Sequence, residues 1–180
     1  SFRSEGALLI VGPMDVALGW AQQLKDQFEV GVLATGAERG ALPGRRDYPV
    51  WSGSAVQVRG YLGAFDVSWE QENPIDLALC TRCNACVRAC PEQAIDERYQ
   101  VDAAKCRSHR ACVVACGSIG AIDFARGERA RSERFDLILD LSPQPVIRLP
   151  HPPQGYQAPG RDVAAQFQAV LELSRLIGEF

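Results

Sequence analysis

No stretch of this chain approaches the roughly 20 consecutive apolar residues that a membrane helix needs. Its longest clean apolar run, Ala7-Leu8-Leu9-Ile10-Val11, has the length of a β-strand. A basic excess is missing too: the formal charge is −3 and the pI near 5.4, which argues against nucleic acid as the main partner. Histidine is scarce, with two in 180 residues. His151 is flanked by prolines in Leu149-Pro150-His151-Pro152-Pro153, and Ser, Asp and Glu are scattered without a partner histidine in register, so no catalytic set stands out. The chain begins at Ser1, without an initiator methionine or a basic-then-apolar leader, and so reads as a piece of something longer. A hydrophobic content of 47% is ordinary for a globular protein, so disorder is not the default.

Cysteine is what the chain does have. All seven cysteines lie between Cys80 and Cys116. The first run, Cys80-Thr81-Arg82-Cys83-Asn84-Ala85-Cys86-Val87-Arg88-Ala89-Cys90-Pro91, reads C-x2-C-x2-C-x3-C-P, the bacterial-type iron–sulfur spacing. A shift of 26 residues lays Cys106, His109, Cys112 and Cys116 over Cys80, Cys83, Cys86 and Cys90, giving C-x2-H-x2-C-x3-C-G. Tight C-x2-C spacing without an export signal points to metal and to a reduced compartment, which places the chain in the cytoplasm. Zinc is the competing metal. Zinc folds usually pair two separated C-x2-C knuckles, however, whereas a compact run of cysteines closed by proline favours a cluster. His109 carries three readings: a ligand through an imidazole nitrogen, a neighbour of a three-iron cluster with an empty corner, or a surface residue beside a lost site.

Around the cysteines the pattern is mixed α and β. Residues 7–34 read as strand, helix, strand: the apolar run ends at Gly12-Pro13, Asp15 caps a helix with Val16, Trp20, Leu24 and Phe28 at helical spacing, and Val30-Gly31-Val32-Leu33-Ala34 follows. So short a crossover implies a parallel pair. Residues 36–46, with three glycines and Pro43, form a loop. Residues 48–69 turn to β, with the last part a hairpin with one buried face, and Asn73-Pro74 ends it. Trp20, Trp51 and Trp69 read as packing aromatics. Residues 126–134 are a charged connector and 135–141 an apolar strand. Six of the eleven prolines fall between Pro143 and Pro159, which makes that segment extended. Val163, Phe167, Val170, Ser174 and Ile177 keep the period of a closing amphipathic helix.

Residues 78–124 resemble the two-cluster bacterial ferredoxin domain, a small pseudo-symmetric fold that passes single electrons. In such ferredoxins the last cysteine of each run serves the other cluster. The resemblance therefore implies a cluster I, [4Fe–4S], on Cys80, Cys83, Cys86 and Cys116. Cluster II falls to Cys90, Cys106, His109 and Cys112, as [4Fe–4S] with His109 or as [3Fe–4S] on the three cysteines. Gly60-Tyr61-Leu62-Gly63-Ala64-Phe65-Asp66-Val67, followed closely by the Cys80 run, resembles the stretch before the ferredoxin insert in the A subunit of heterodisulfide reductases. That resemblance implies a module of a larger flavin and iron–sulfur enzyme. The chain departs from it at Gly12-Pro13-Met14-Asp15-Val16-Ala17, where a dinucleotide site would show G-x-G-x-x-G and where Pro13 removes a backbone donor.

The expected architecture is thus α+β: an α/β part over residues 1–75 with a βαβ start, a dicluster ferredoxin part over 76–126, and a proline-rich part over 127–180 ending in a helix. The expected role is an electron-transfer component, not itself catalytic, relaying electrons between redox partner proteins or further domains of the same chain. A flavin- or nicotinamide-binding oxidoreductase subunit and a zinc-stapled interaction domain are the alternatives. Residues 98–134 carry a net charge of +4. Positive charge, together with imidazole in place of a thiolate, favours the reduced form of cluster II. Cluster II is expected to have the higher potential; a redox titration that reduces it at the same or a lower potential than cluster I would defeat this.

Overall fold

Strand alternation decides how the two cores are divided. In β1 (Ala7–Gly12), Leu8 and Ile10 point to one face and Leu9 and Val11 to the other, and all four are fully buried, as in a strand covered on both sides. The structure is a computed structural model that describes residues 6–35, 47–61, 63–71, 73–126, 130–143 and 156–157. β1, β2 (Glu29–Ala34), β3 (Val50–Ser52), β7 (Leu137–Asp140) and β8 (Tyr156–Gln157) form a sheet ordered β3-β2-β1-β7-β8, every pair parallel. A second, antiparallel sheet is ordered β4-β5-β6, from β4 (Ser54–Tyr61), β5 (Ala64–Glu70) and β6 (Ala130–Phe135).

One core lies between the sheets. Leu9, Val11, Leu33, Trp51 and Ile138 of the parallel sheet meet Val56, Val58, Phe65, Val67, Trp69 and Phe135 of the other. Trp51 and Trp69 pack with ring centroids 5.3 Å apart. Gly31 makes room for this: a Cβ there would lie 2.8 Å from the Trp51 ring. On the opposite face of the parallel sheet, α1 (Met14–Leu24) covers Leu8, Ile10, Val30 and Val32.

The helix differs from its sequence reading in two respects. Pro13, not Asp15, occupies the N-cap, and it makes no side-chain cap bond; its carbonyl accepts the Ala17 N–H at 2.9 Å. A proline there forfeits only an N–H that has no helical partner. The buried stripe is Met14, Ala17, Leu18, Ala21 and Leu24, while Val16 is exposed. Small alanines let the helix axis approach the sheet, and that choice of face is invisible when large side chains alone are counted. Phe28 follows the helix end in a turn whose N–H donates to Leu24, and its ring is buried in the same core.

Residues 130–134, expected within a charged connector, belong to β6. Its burial alternates under charged side chains, the pattern of a sheet edge with one wet face. The apolar run expected over 135–141 splits between sheets at Asp136, whose N–H donates to the Ala7 carbonyl at 2.8 Å and whose carboxylate accepts the Ala7 N–H at 3.1 Å. β6 pairs with β5 and β7 with β1, so residues 130–140 belong to the same two sheets as residues 7–70. Glu70 stands opposite Ala130, and residues 73–126 emerge between these two neighbouring strands. The loop expected at 36–46, the rest of the proline-rich segment, His151 and the closing helix lie outside the described residues. No helix among the described residues is long and apolar enough to cross a membrane.

Candidate metal centre

The 26-residue repeat is a structural repeat down to single hydrogen bonds. α2 (Ala85–Ala89) and α3 (Ala111–Cys116) start 26 residues apart and pack on one another. Ahead of each, Asp76 and Asp102 accept the N–H groups of Ala78 and Ala104 on Oδ1, at 2.9 Å in both cases. Their carbonyls accept the N–H of Cys80 and of Cys106, at 2.9 and 3.0 Å. Within the runs, Arg82 and Ser108 have φ of 58° and 60°, and Asn84 and Arg110 have φ of 60° and 59°. These left-handed residues, uncommon without glycine, curl each run around a centre. The halves interlock through short backbone bonds: the Asp76 N–H to Ala121 at 2.7 Å and the Asp102 N–H to Ala94 at 2.8 Å.

This curling leaves two hollows. The first, about 300 Å³ including space open to solvent, is lined by Cys80, Cys83 and Cys86 of the first run and Cys116 of the second. The second, about 270 Å³, is lined by Cys106, His109 and Cys112 of the second run and Cys90 of the first. The last cysteine of each run thus lines the hollow of the other run. All seven thiols are free. Among the described residues no three His, Cys, Asp or Glu side chains are placed to hold a single metal ion.

Burial sets the state of these thiols. It pushes Cys86 up to about 11 and also raises Cys112. The surface thiol Cys83 is lowered, chiefly by the backbone N–H of Ala85. Buried thiols held protonated must release protons to bind a metal. The N–H groups of Arg82 and Ala94 each donate to a sulfur, Cys80 and Cys90, at 3.4 Å. N–H donors of this kind compensate negative charge on sulfur.

Tyr99 braces the loop of the first run. Its buried hydroxyl lies 3.0 Å from the Arg82 carbonyl and 2.5 Å from Asn84 Oδ1, the two left-handed residues of the first run. Burial raises its pKa. Tyr99→Phe is expected to cost about 1–2 kcal/mol by leaving these acceptors unpaired. It should also speed iron loss to a chelator, read by absorbance; unchanged chelation kinetics would show that the hydroxyl does not hold the run.

In the second hollow, His109 Nε2 lies 3.2 Å from Glu92 Oε1, and both side chains are about half exposed. A carboxylate on one imidazole nitrogen orients the ring for ligation by the other. The Arg110 guanidinium stacks on Phe124, 3.8 Å from the ring centroid. Asp76, Asp102, Tyr99 and Glu92 were not among the residues singled out in the sequence. The first two had a signal, D-x3-C ahead of both runs at the same 26-residue shift. Tyr99 and Glu92 had none, since their roles depend on packing. At the β1–α1 turn, a Cβ on Gly12 would lie 3.1 Å from Leu141, so the chain itself packs against that turn.

The 4Fe-4S binding domain family matches residues 74–96, which hold Cys80, Cys83, Cys86 and Cys90. No curated protein matches the chain. The chain therefore carries an iron–sulfur, ferredoxin-like domain with an electron-transfer role.

Proposed function

We propose that this chain holds two clusters, one in each hollow, and relays single electrons between them as a component of a larger cytoplasmic redox protein or complex. The observation that carries the reading is the crosswise division of eight donors between two hollows. Cys80, Cys83, Cys86 and Cys116 would hold the first group, and Cys90, Cys106, Cys112 and His109 the second. Bound there, such clusters take up and release one electron at a time without a bond being made or broken. The chain's own part is to orient the sulfurs through the left-handed curls, the first of them held by Tyr99, to aim N–H groups at Cys80 and Cys90, and to line the first hollow with Ile75 and Ile122. Glu92 supports the imidazole reading of His109 because it occupies one ring nitrogen. The resemblance of residues 60–67 to the stretch before the ferredoxin insert of heterodisulfide reductases supports a larger assembly; in this chain those residues include the β4–β5 turn, from which β5 leads into the insert.

Iron and acid-labile sulfide counts, with EPR before and after dithionite, test this on anaerobically purified protein. The expected result is about eight irons, no signal as isolated and a coupled spectrum when reduced. About seven irons with a signal in the oxidised state would remove His109 from the ligand set, and zinc without sulfide would sink the reading.

A further inference from the structure

The structural repeat lets one hollow serve as a comparison for the other, because the fold is the same at positions 26 apart and only the side chains differ. At the rim of the first hollow stand Thr81 and Asn84; at the matching places of the second stand Arg107 and Arg110. Two cations therefore replace two neutral groups. Arg110 is anchored by Phe124, so its charge is presented at the rim and not left on a free side chain. Arg107 makes no ion pair among the described residues. Of the acids close by, Asp102 pairs with Lys105 at 3.7 Å, and the two arginines outnumber Glu92, the one carboxylate that lines this hollow. The two arginines line this hollow in a chain whose overall charge is −3.

Next to the cations is an apolar spot. Val114 follows Arg110 by one helical turn, its N–H donating to the Arg110 carbonyl, and is 80% exposed. The matching residue of the first repeat is Arg88, and Val113 beside Val114 is exposed as well. An apolar centre beside fixed charges is the make-up of a transient protein interface.

We infer that the rim of the second hollow, with Arg107, Arg110 and Val114, is the docking port for an acidic one-electron carrier protein. The inference rests on the two-cluster reading and names the partner's chemistry and its point of entry. In the transfer, the carrier loses one electron and is oxidised, and the group held by Cys90, Cys106, Cys112 and His109 gains it and is reduced; no proton moves and no bond breaks. The opposite charges act before contact, by steering, and so act on the association rate.

Stopped-flow reduction of the cluster-loaded protein tests it, with a plant-type [2Fe–2S] ferredoxin, an acidic protein, as the reduced donor. The second-order rate should fall about tenfold or more between low and high salt. R107E/R110E should lower the low-salt rate at least about tenfold and flatten its salt dependence, while R59E, a charge reversal on β4, leaves both unchanged. A wild-type rate that is flat or rises with salt overturns the port, and so does R107E/R110E that reacts like wild type. Should that variant lose iron, the wild-type salt dependence and its inhibition by polyglutamate decide instead. An iron count of about four in the wild type would defeat the two-cluster reading by itself, before any kinetics; the arginine variants bear on the port alone.

Discussion

Cys116→Ala is expected to empty the hollow beside the first cysteine run and to leave the one beside its own run filled. Cys116 closes the second run in the sequence, but it lines the hollow with Cys80, Cys83 and Cys86. Removing one of four thiolates takes a corner from that cluster only. Iron should drop from about eight to about four per chain, with sulfide falling in parallel. Cys90→Ala should do the reverse, emptying the hollow of Cys106, His109 and Cys112. Pairing the substitutions separates the crosswise arrangement from the simple one. C116A/C80A should lose no more iron than C116A, because both residues serve one group, whereas C116A/C112A should lose nearly all of it. If C116A/C112A instead retains about four irons and C116A/C80A loses everything, each run holds its own cluster and the crosswise reading fails.

Asp76→Ala is expected to destabilise the protein by about 3 kcal/mol, and the same change at Asp102 by about 1 kcal/mol or less. The two residues hold the same turn in the two halves, yet their surroundings differ. Asp76 is 8% exposed; its Oδ1 accepts the N–H groups of Ala78 and Leu79 at 2.9 and 3.3 Å, and its Oδ2 lies 3.7 Å from Arg131 and 4.0 Å from Arg126. Those arginines come from β6 and from the segment returning to it, so the carboxylate ties the insert to the antiparallel sheet. Alanine leaves the half-buried Ala78 N–H without this acceptor and removes a partly desolvated countercharge, the costly kind of loss. Asp102 is exposed, and its ion pair with Lys105 is of the surface type, which contributes little. Urea denaturation of the iron-loaded, reduced proteins measures both, through midpoint shifts at constant slope. Equal losses at the two positions would mean that the turn alone matters and that the arginine contacts are idle.

Several elements were legible because they are local. The strand, helix and strand over residues 7–34 follow from apolar spacing, and they occur as β1, α1 and β2. The helix face was misjudged because Ala17 and Ala21 bury by being small, which a count of large apolar residues does not register. β6 read as a connector since both of its faces carry charge, Arg131 and Glu133 on the half-buried one and Arg134 on the exposed one, and such a charged run looks alike in a loop and in an edge strand. His109 stood out through its register with Cys83. Its partner Glu92, 17 residues earlier, could not, because that contact exists only once the two halves have folded together.

By itself, the sequence determined what depends on spacing within a turn or two: the two runs and their 26-residue repeat, the ligand types at each place, and the apolar strands that can form a sheet. Short-range spacing dictates which residues curl together, since neighbours along the chain cannot avoid one another. Only the tertiary structure decided the long-range choices. The packing of α2 on α3 brings Cys116 to the first hollow and Cys90 to the second, the break at Asp136 sends β6 and β7 to different sheets, and the antiparallel sheet buries Asp76 while Asp102 stays wet. Such choices rest on which surfaces exclude water against which, and residues far apart in the chain settle that jointly.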